Sequence, residues 1–83
     1  MFKKEGMLIF SNNLRKLRLA EDMSQKQLAD ELLVTVQCVY KWESGQSVPD
    51  IENMIAISNF FDVDIKDLVN KECKFCIDFE NRS

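Results

Sequence analysis

Residues 24–45 read Ser-Gln-Lys-Gln-Leu-Ala-Asp-Glu-Leu-Leu-Val-Thr-Val-Gln-Cys-Val-Tyr-Lys-Trp-Glu-Ser-Gly. Ser24, with Gln27 three positions on, has the spacing of a capping box, in which a hydroxyl and an amide satisfy free backbone N–H groups at a helix start. Leu28, Ala29 and Leu32 fall on one face of the short helix that follows. Leu33 and Val34 interrupt it. Thr35 is the next N-cap, and a second helix is expected over Val36–Ser44, with Val39 and Trp42 inward and Cys38 turned toward the first. Gly45 stands where a left-handed residue ends a helix. Ala29 is small enough to let the two helices cross closely. Two short helices joined by a turn of about three residues have the geometry of a DNA-reading helix-turn-helix. The spacing by itself fits another kind of small helical bundle equally well.

The pattern continues on both sides. Upstream, Phe10, Leu14 and Leu17 recur at i, i+4 and i+7 as one apolar stripe, with Ser11 or Asn12 expected to open that helix. Downstream, the loop Gln46-Ser47-Val48 reaches Pro49. Asp50 is then the expected cap of a fourth helix with Ile51, Met54, Ile57 and Phe61 inside and Asp62 at its close. Asp64 is expected to cap a fifth helix carrying Ile65 and Leu68. In the tail, Phe75, Ile77 and Phe79 alternate with polar residues, the pattern of a short strand or a partner-binding segment. The expected organisation is an N-terminal arm at 1–8 bearing Lys3 and Lys4, one domain at 9–70 and a C-terminal tail at 71–83.

Composition narrows the chemistry. The chain has 83 residues, enough for one domain, with 46% hydrophobic and 30% charged residues, two Gly and one Pro. No apolar run approaches the ~20 residues of a membrane span, and no leader pattern opens the chain, so a cytoplasmic protein is expected. There is no His, which removes the commonest general base and most catalytic zinc sites. No constellation of acid, base and nucleophile remains, and neither enzyme activity nor a cofactor is expected. The three Cys, at 38, 73 and 76, read as reduced thiols. Cys73 and Cys76 form a C-x-x-C, but one pair supplies only two metal ligands, so no metal site is assigned; a zinc shared across a dimer and a redox switch are the rival readings. Through Trp42 there are seven basic and five acidic residues, a net of +2; from Glu43 on there are four basic and nine acidic, a net of −5. The overall charge of −3 argues against strong nonspecific nucleic-acid binding, while the asymmetry leaves the N-terminal half available to a polyanion.

Taken in order, these residues resemble a known family. Ser24-Gln25-Lys26-Gln27-Leu28-Ala29 with Val34-Thr35 is similar to the second helix and turn of the Cro and phage-repressor (XRE-like) helix-turn-helix family. Lys41-Trp42-Glu43-Ser44-Gly45 and Pro49-Asp50-Ile51-Glu52-Asn53 resemble its third helix and following loop, and Val63 to Leu68 its fifth helix. The likeness covers 10–70. It implies an all-α fold, a compact five-helix lambda-repressor-like DNA-binding domain with the helix-turn-helix at 24–44. Three positions where the family often has Gly hold Asp22, Leu33 and Asp62. Asp tolerates a left-handed backbone moderately; Leu does so poorly, so Leu33 puts the geometry of the turn in question.

The resemblance also implies roles. The third helix would lie in the major groove with its N-terminal end toward the bases. Val36, Gln37, Tyr40 and Lys41 form its outward set, and Val36, Gln37 and Lys41 fall on the family's base-reading positions. Gln37 suits adenine N6 and N7, Lys41 guanine O6 and N7 or a phosphate, and Val36 a thymine methyl. Gln25, Thr35, Ser44, Gln46 and Ser47 are the expected phosphate contacts, Thr35 doubling as a cap. Arg18 and Glu43 resemble the family's internal ion pair between the first and third helices, which would withhold Arg18 from DNA.

The expected function is that of a sequence-specific regulator of transcription, a repressor, binding double-stranded operator DNA as a homodimer, with a protein partner at the C-terminal tail a further possibility and no membrane partner. The rivals are an antitoxin or a restriction-system controller of the same fold, and a protein-interaction module that has lost DNA binding.

Overall fold

Local signals along the chain account for most of the helix boundaries. The computed structural model describes residues 4–69, which form five helices: α1 (Lys4–Ala20), α2 (Gln25–Leu32), α3 (Val36–Ser44), α4 (Ile51–Phe61) and α5 (Ile65–Val69). At α2 the capping box is complete: the Gln27 N–H donates to Ser24 Oγ at 3.0 Å, and the Ser24 N–H donates to Gln27 Oε1 at 2.8 Å. Thr35 Oγ1 accepts from the Cys38 N–H at 3.3 Å at the start of α3, and Asp50 Oδ1 from the Asn53 N–H at 2.9 Å at the start of α4. Each bond satisfies a donor that the first turn of a helix leaves free.

The first four helices end alike. Asp22, Leu33, Gly45 and Asp62 all have left-handed backbone, with φ of 57°, 60°, 82° and 58°. After each of them the next residue donates its N–H back to a carbonyl of the last helical turn: Met23 to Arg18 at 3.2 Å, Val34 to Ala29 at 3.0 Å, Gln46 to Lys41 at 3.0 Å and Val63 to Ser58 at 2.9 Å. This is the Schellman arrangement. Gly is used for only one of the four. The turn at Leu33 is therefore not rearranged around its large side chain; the backbone takes the left-handed form despite it.

The core draws on every helix: Phe10 and Leu14 from α1, Leu28, Ala29 and Leu32 from α2, Val39 and Trp42 from α3, Met54 and Ile57 from α4, and Leu68 from α5. Helix α3 packs on α2 and α1, while α5 closes the other side against α1 and α4. Asn13 is 3% exposed, and its Nδ2 donates to the carbonyls of Asp67 at 3.2 Å and Leu68 at 2.8 Å, pinning the end of α5 to α1.

Three expectations change. Helix α1 begins at Lys4, inside the stretch read as an N-terminal arm. Ser11 is accordingly buried within that helix, at 2% exposure, and neither it nor Asn12 opens it. Ile51, expected inside, is 65% exposed; it directly follows the Asp50 cap and shares an outer stripe with Ile55 rather than the Met54–Ile57 face.

Candidate nucleic-acid interface

Helix α3 is divided by its own periodicity. Val39 and Trp42 are buried, whereas Val36, Gln37, Tyr40 and Lys41 are exposed on the opposite side. At 100° per residue Val36 and Tyr40 stand in one row, and Gln37 and Lys41 in the next. Thr35 sits at the N-terminal end of this surface, its hydroxyl engaged with Cys38 through both the N–H and Sγ. At the other end Ser44 Oγ donates to the Lys41 carbonyl at 3.2 Å. Gln46 and Ser47 direct their backbone N–H groups to that same carbonyl, so those donors are already committed within the protein.

A polar junction behind α3 fixes its direction. Arg18 Nε and Nη2 donate to Glu43 Oε2 and Oε1 at 2.6 and 2.9 Å, a two-pronged ion pair between α1 and α3. The two side chains are only 11% and 4% exposed. Arg18 Nη1 also donates to the Met23 carbonyl at 2.7 Å. Gln25 Nε2 donates to Glu43 Oε1 at 3.1 Å, which brings the first residue of α2 into the same junction. Three of the five Arg18 N–H donors are thus spent inside the protein. Gln25, expected at a phosphate, has one amide hydrogen committed to Glu43 and retains a second.

Outside this junction lies a shallow groove of about 250 Å³, lined by Arg15, Arg18, Gln25, Tyr40, Glu43 and Ser44. It gathers Gln25 and Ser44 from the expected phosphate set and Tyr40 from the expected base-reading set. Val36, Gln37, Thr35, Lys41, Gln46 and Ser47 do not line it. Arg15 was not foreseen, because α1 offers only its core stripe to a reading of spacing. Among the described residues the ion pairs are Arg18–Glu43 and the exposed Lys26–Asp30; neither Arg15 nor Lys41 has a carboxylate partner.

Among the described residues no three His, Cys, Asp or Glu side chains are grouped to hold a metal ion, and Cys38 is a free, half-buried thiol. No described helix is long and apolar enough to cross a membrane. Cys73, Cys76 and the alternating Phe75, Ile77 and Phe79 lie outside the described residues.

The profile of the helix-turn-helix family matches residues 14–68, which contain every element of this surface. The chain belongs to that family, of the XRE type. Family members similar to it are named as transcriptional regulators and not as enzymes. The HTH-type transcriptional activator BcrR of Enterococcus faecalis is 39% identical over 75 residues, which cover 89% of this chain and 37% of the relative. The uncharacterised HTH-type transcriptional regulator YqaE of Bacillus subtilis is 36% identical over 64 residues, covering 77% of this chain and 55% of the relative. The cryptic phage CTXphi transcriptional repressor RstR of Vibrio cholerae is 31% identical over 58 residues, covering 70% and 52%. This helix-turn-helix chain thus spans between about a third and about half the length of these curated relatives. Among solved structures, the SOS-response transcriptional repressor LexA of Eubacterium rectale superposes with a TM-score of 0.80 at 25% identity, over 87% of this chain and 77% of that one.

Proposed function

We propose that this helix-turn-helix chain is a sequence-specific DNA-binding regulator of transcription, that it represses, and that it acts in the cytoplasm as a homodimer. The observation that carries the reading is the solvent-facing side of α3, where Val36, Gln37 and Lys41 project from a helix whose direction is held by the Arg18–Glu43 pair. Gln37 pairs with adenine, Lys41 donates to guanine or phosphate, and Val36 offers only a methyl surface, so part of the readout comes from DNA shape. Tyr40 stands at the edge of this set. Thr35, Gln46 and Ser47 flank it as phosphate contacts. One α3 reads one half-site; a two-fold dimer reads two, spaced by one helical turn of about 34–36 Å.

Binding is tested by fluorescence anisotropy on the DNA upstream of the protein's own coding sequence, with Lys41→Ala and Gln37→Ala beside the wild type. The expected preference over random DNA is about 10³ or more, lost in both variants. Weak, sequence-indifferent binding that neither variant changes would refute the reading. A second reading concerns the sign of regulation. BcrR is named as an activator, while RstR and LexA are named as repressors. A reporter placed under the bound promoter decides between them, expression rising or falling when the protein is supplied. Sedimentation of the protein with and without DNA tests the dimer.

A further inference from the structure

We propose that the groove between α1 and α3 is a seat for one DNA backbone phosphate, with Arg15 as its cation and Tyr40 as a second donor. Tyr40 would thereby belong to the contacts that position the protein and not to those that read bases. This rests on the DNA-binding reading above and extends it to a residue of α1.

The argument begins with charge. Two arginines and one glutamate line the groove. Arg18 and Glu43 neutralise each other in a two-pronged pair at its floor, and the Met23 carbonyl takes a further Arg18 donor. What remains is Arg15, exposed and without a carboxylate partner among the described residues, so the lining carries one uncompensated positive charge. A phosphodiester carries one negative charge. Two neutral groups around Arg15 are of matching chemistry: the Tyr40 hydroxyl and the second amide hydrogen of Gln25 are donors, while the Ser44 hydrogen is already given to the Lys41 carbonyl.

Position is the second part. Tyr40 is 53% exposed, and the groove it lines reaches α1 and the first residue of α2. Gln37 and Lys41 lie one row round α3 and do not line it. A helix lying in the major groove has bases below it and a sugar–phosphate strand along each flank. With the N-terminal end of α3 toward the bases, Val36 at that end stays over them, while Tyr40, one turn further along the helix and with Arg15 behind it, falls toward one strand. The tyrosine hydroxyl then meets phosphate oxygen, which carries no sequence information.

The test exploits that indifference to sequence. Affinity for a short random-sequence duplex and for the protein's own upstream duplex is measured across a salt series, for wild type, Arg15→Ala, Arg15→Lys, Tyr40→Phe and Lys16→Ala. Lys16 carries the same charge on the same helix but does not line the groove, and circular dichroism verifies that each variant is folded. Arg15→Ala is expected to lower affinity roughly fivefold to tenfold at 0.1 M salt on both duplexes, and to flatten the slope of log K against log[salt] by ~0.9, the signature of one phosphate contact. Arg15→Lys is expected to retain most of the slope, and Lys16→Ala all of it. Tyr40→Phe is expected to weaken both duplexes by the same factor and to leave the ranking of base-substituted duplexes unchanged. A wild-type slope in Arg15→Ala overturns the proposal, as does a change of base preference in Tyr40→Phe. If the wild type binds neither duplex, the DNA-binding reading fails and takes this one with it; if the wild type binds and Arg15→Ala matches it, only the groove assignment fails.

Discussion

Replacing Leu33 with glycine is expected to make the domain more stable. Leu33 holds φ 60° and ψ 42° at the end of α2, a conformation in which a Cβ crowds the following carbonyl and costs ~1–2 kcal/mol. The side chain offers nothing in return through burial, because it is 91% exposed. Its backbone N–H donates to Asp30 and that of Val34 to Ala29, and glycine preserves both bonds. Against the relief stands the greater freedom of glycine in the unfolded chain, ~0.5–1 kcal/mol. The balance is a gain of about 0.5–1 kcal/mol, which in a domain this small corresponds to a rise in Tm of roughly 2–8 °C. Asp62→Gly, at nearly the same φ of 58°, is expected to gain less, because aspartate tolerates the left-handed form better than leucine. The assay is urea and thermal unfolding followed by circular dichroism, with the denaturant slope compared between variants. A Leu33→Gly protein no more stable than wild type, at unchanged slope, would refute the strain argument.

Two further outcomes follow from the polar contacts. Glu43→Gln leaves the Arg18 charge buried without its counterion, and the expected loss is ~3–5 kcal/mol in urea unfolding, a large share of the total stability of a chain this size; an unchanged midpoint would mean the pair does not anchor α3. Asn13→Ala removes the donor to the Asp67 and Leu68 carbonyls, so a loss of about 1–3 kcal/mol is expected, with hydrogen-exchange protection falling first in α5 and uniform loss across all helices counting against the assignment.

Features written into local spacing were legible in the sequence. The Ser24–Gln27 box, the caps at Thr35 and Asp50, and the apolar faces of α2 and α3 depend on residues three or four apart. The left-handed positions at Asp22, Leu33 and Asp62 were legible as departures from glycine, and the open question about Leu33 is answered by the carbonyl bond that Val34 makes to Ala29. What could not be read depends on distant neighbours. Helix α1 starts at Lys4 without a cap motif to mark it. Ile51 looks like a core residue until α4 is packed against the other helices. Asn13 is an ordinary polar residue until α5 arrives above it, 54 positions away. Arg15 and Tyr40 are far apart in sequence, and only the crossing of α1 with α3 places them on one groove.

Trp42 has a practical consequence. It is the single tryptophan of the chain, it lies on α3, and it is 5% exposed. Its ultraviolet emission therefore comes from one indole in an apolar setting, on the helix proposed to enter the major groove. Any event that loosens that helix from the core will wet the ring and move its emission to the red. The protein thus carries an intrinsic optical reporter on α3, and the seating of that helix can be followed without attaching a dye.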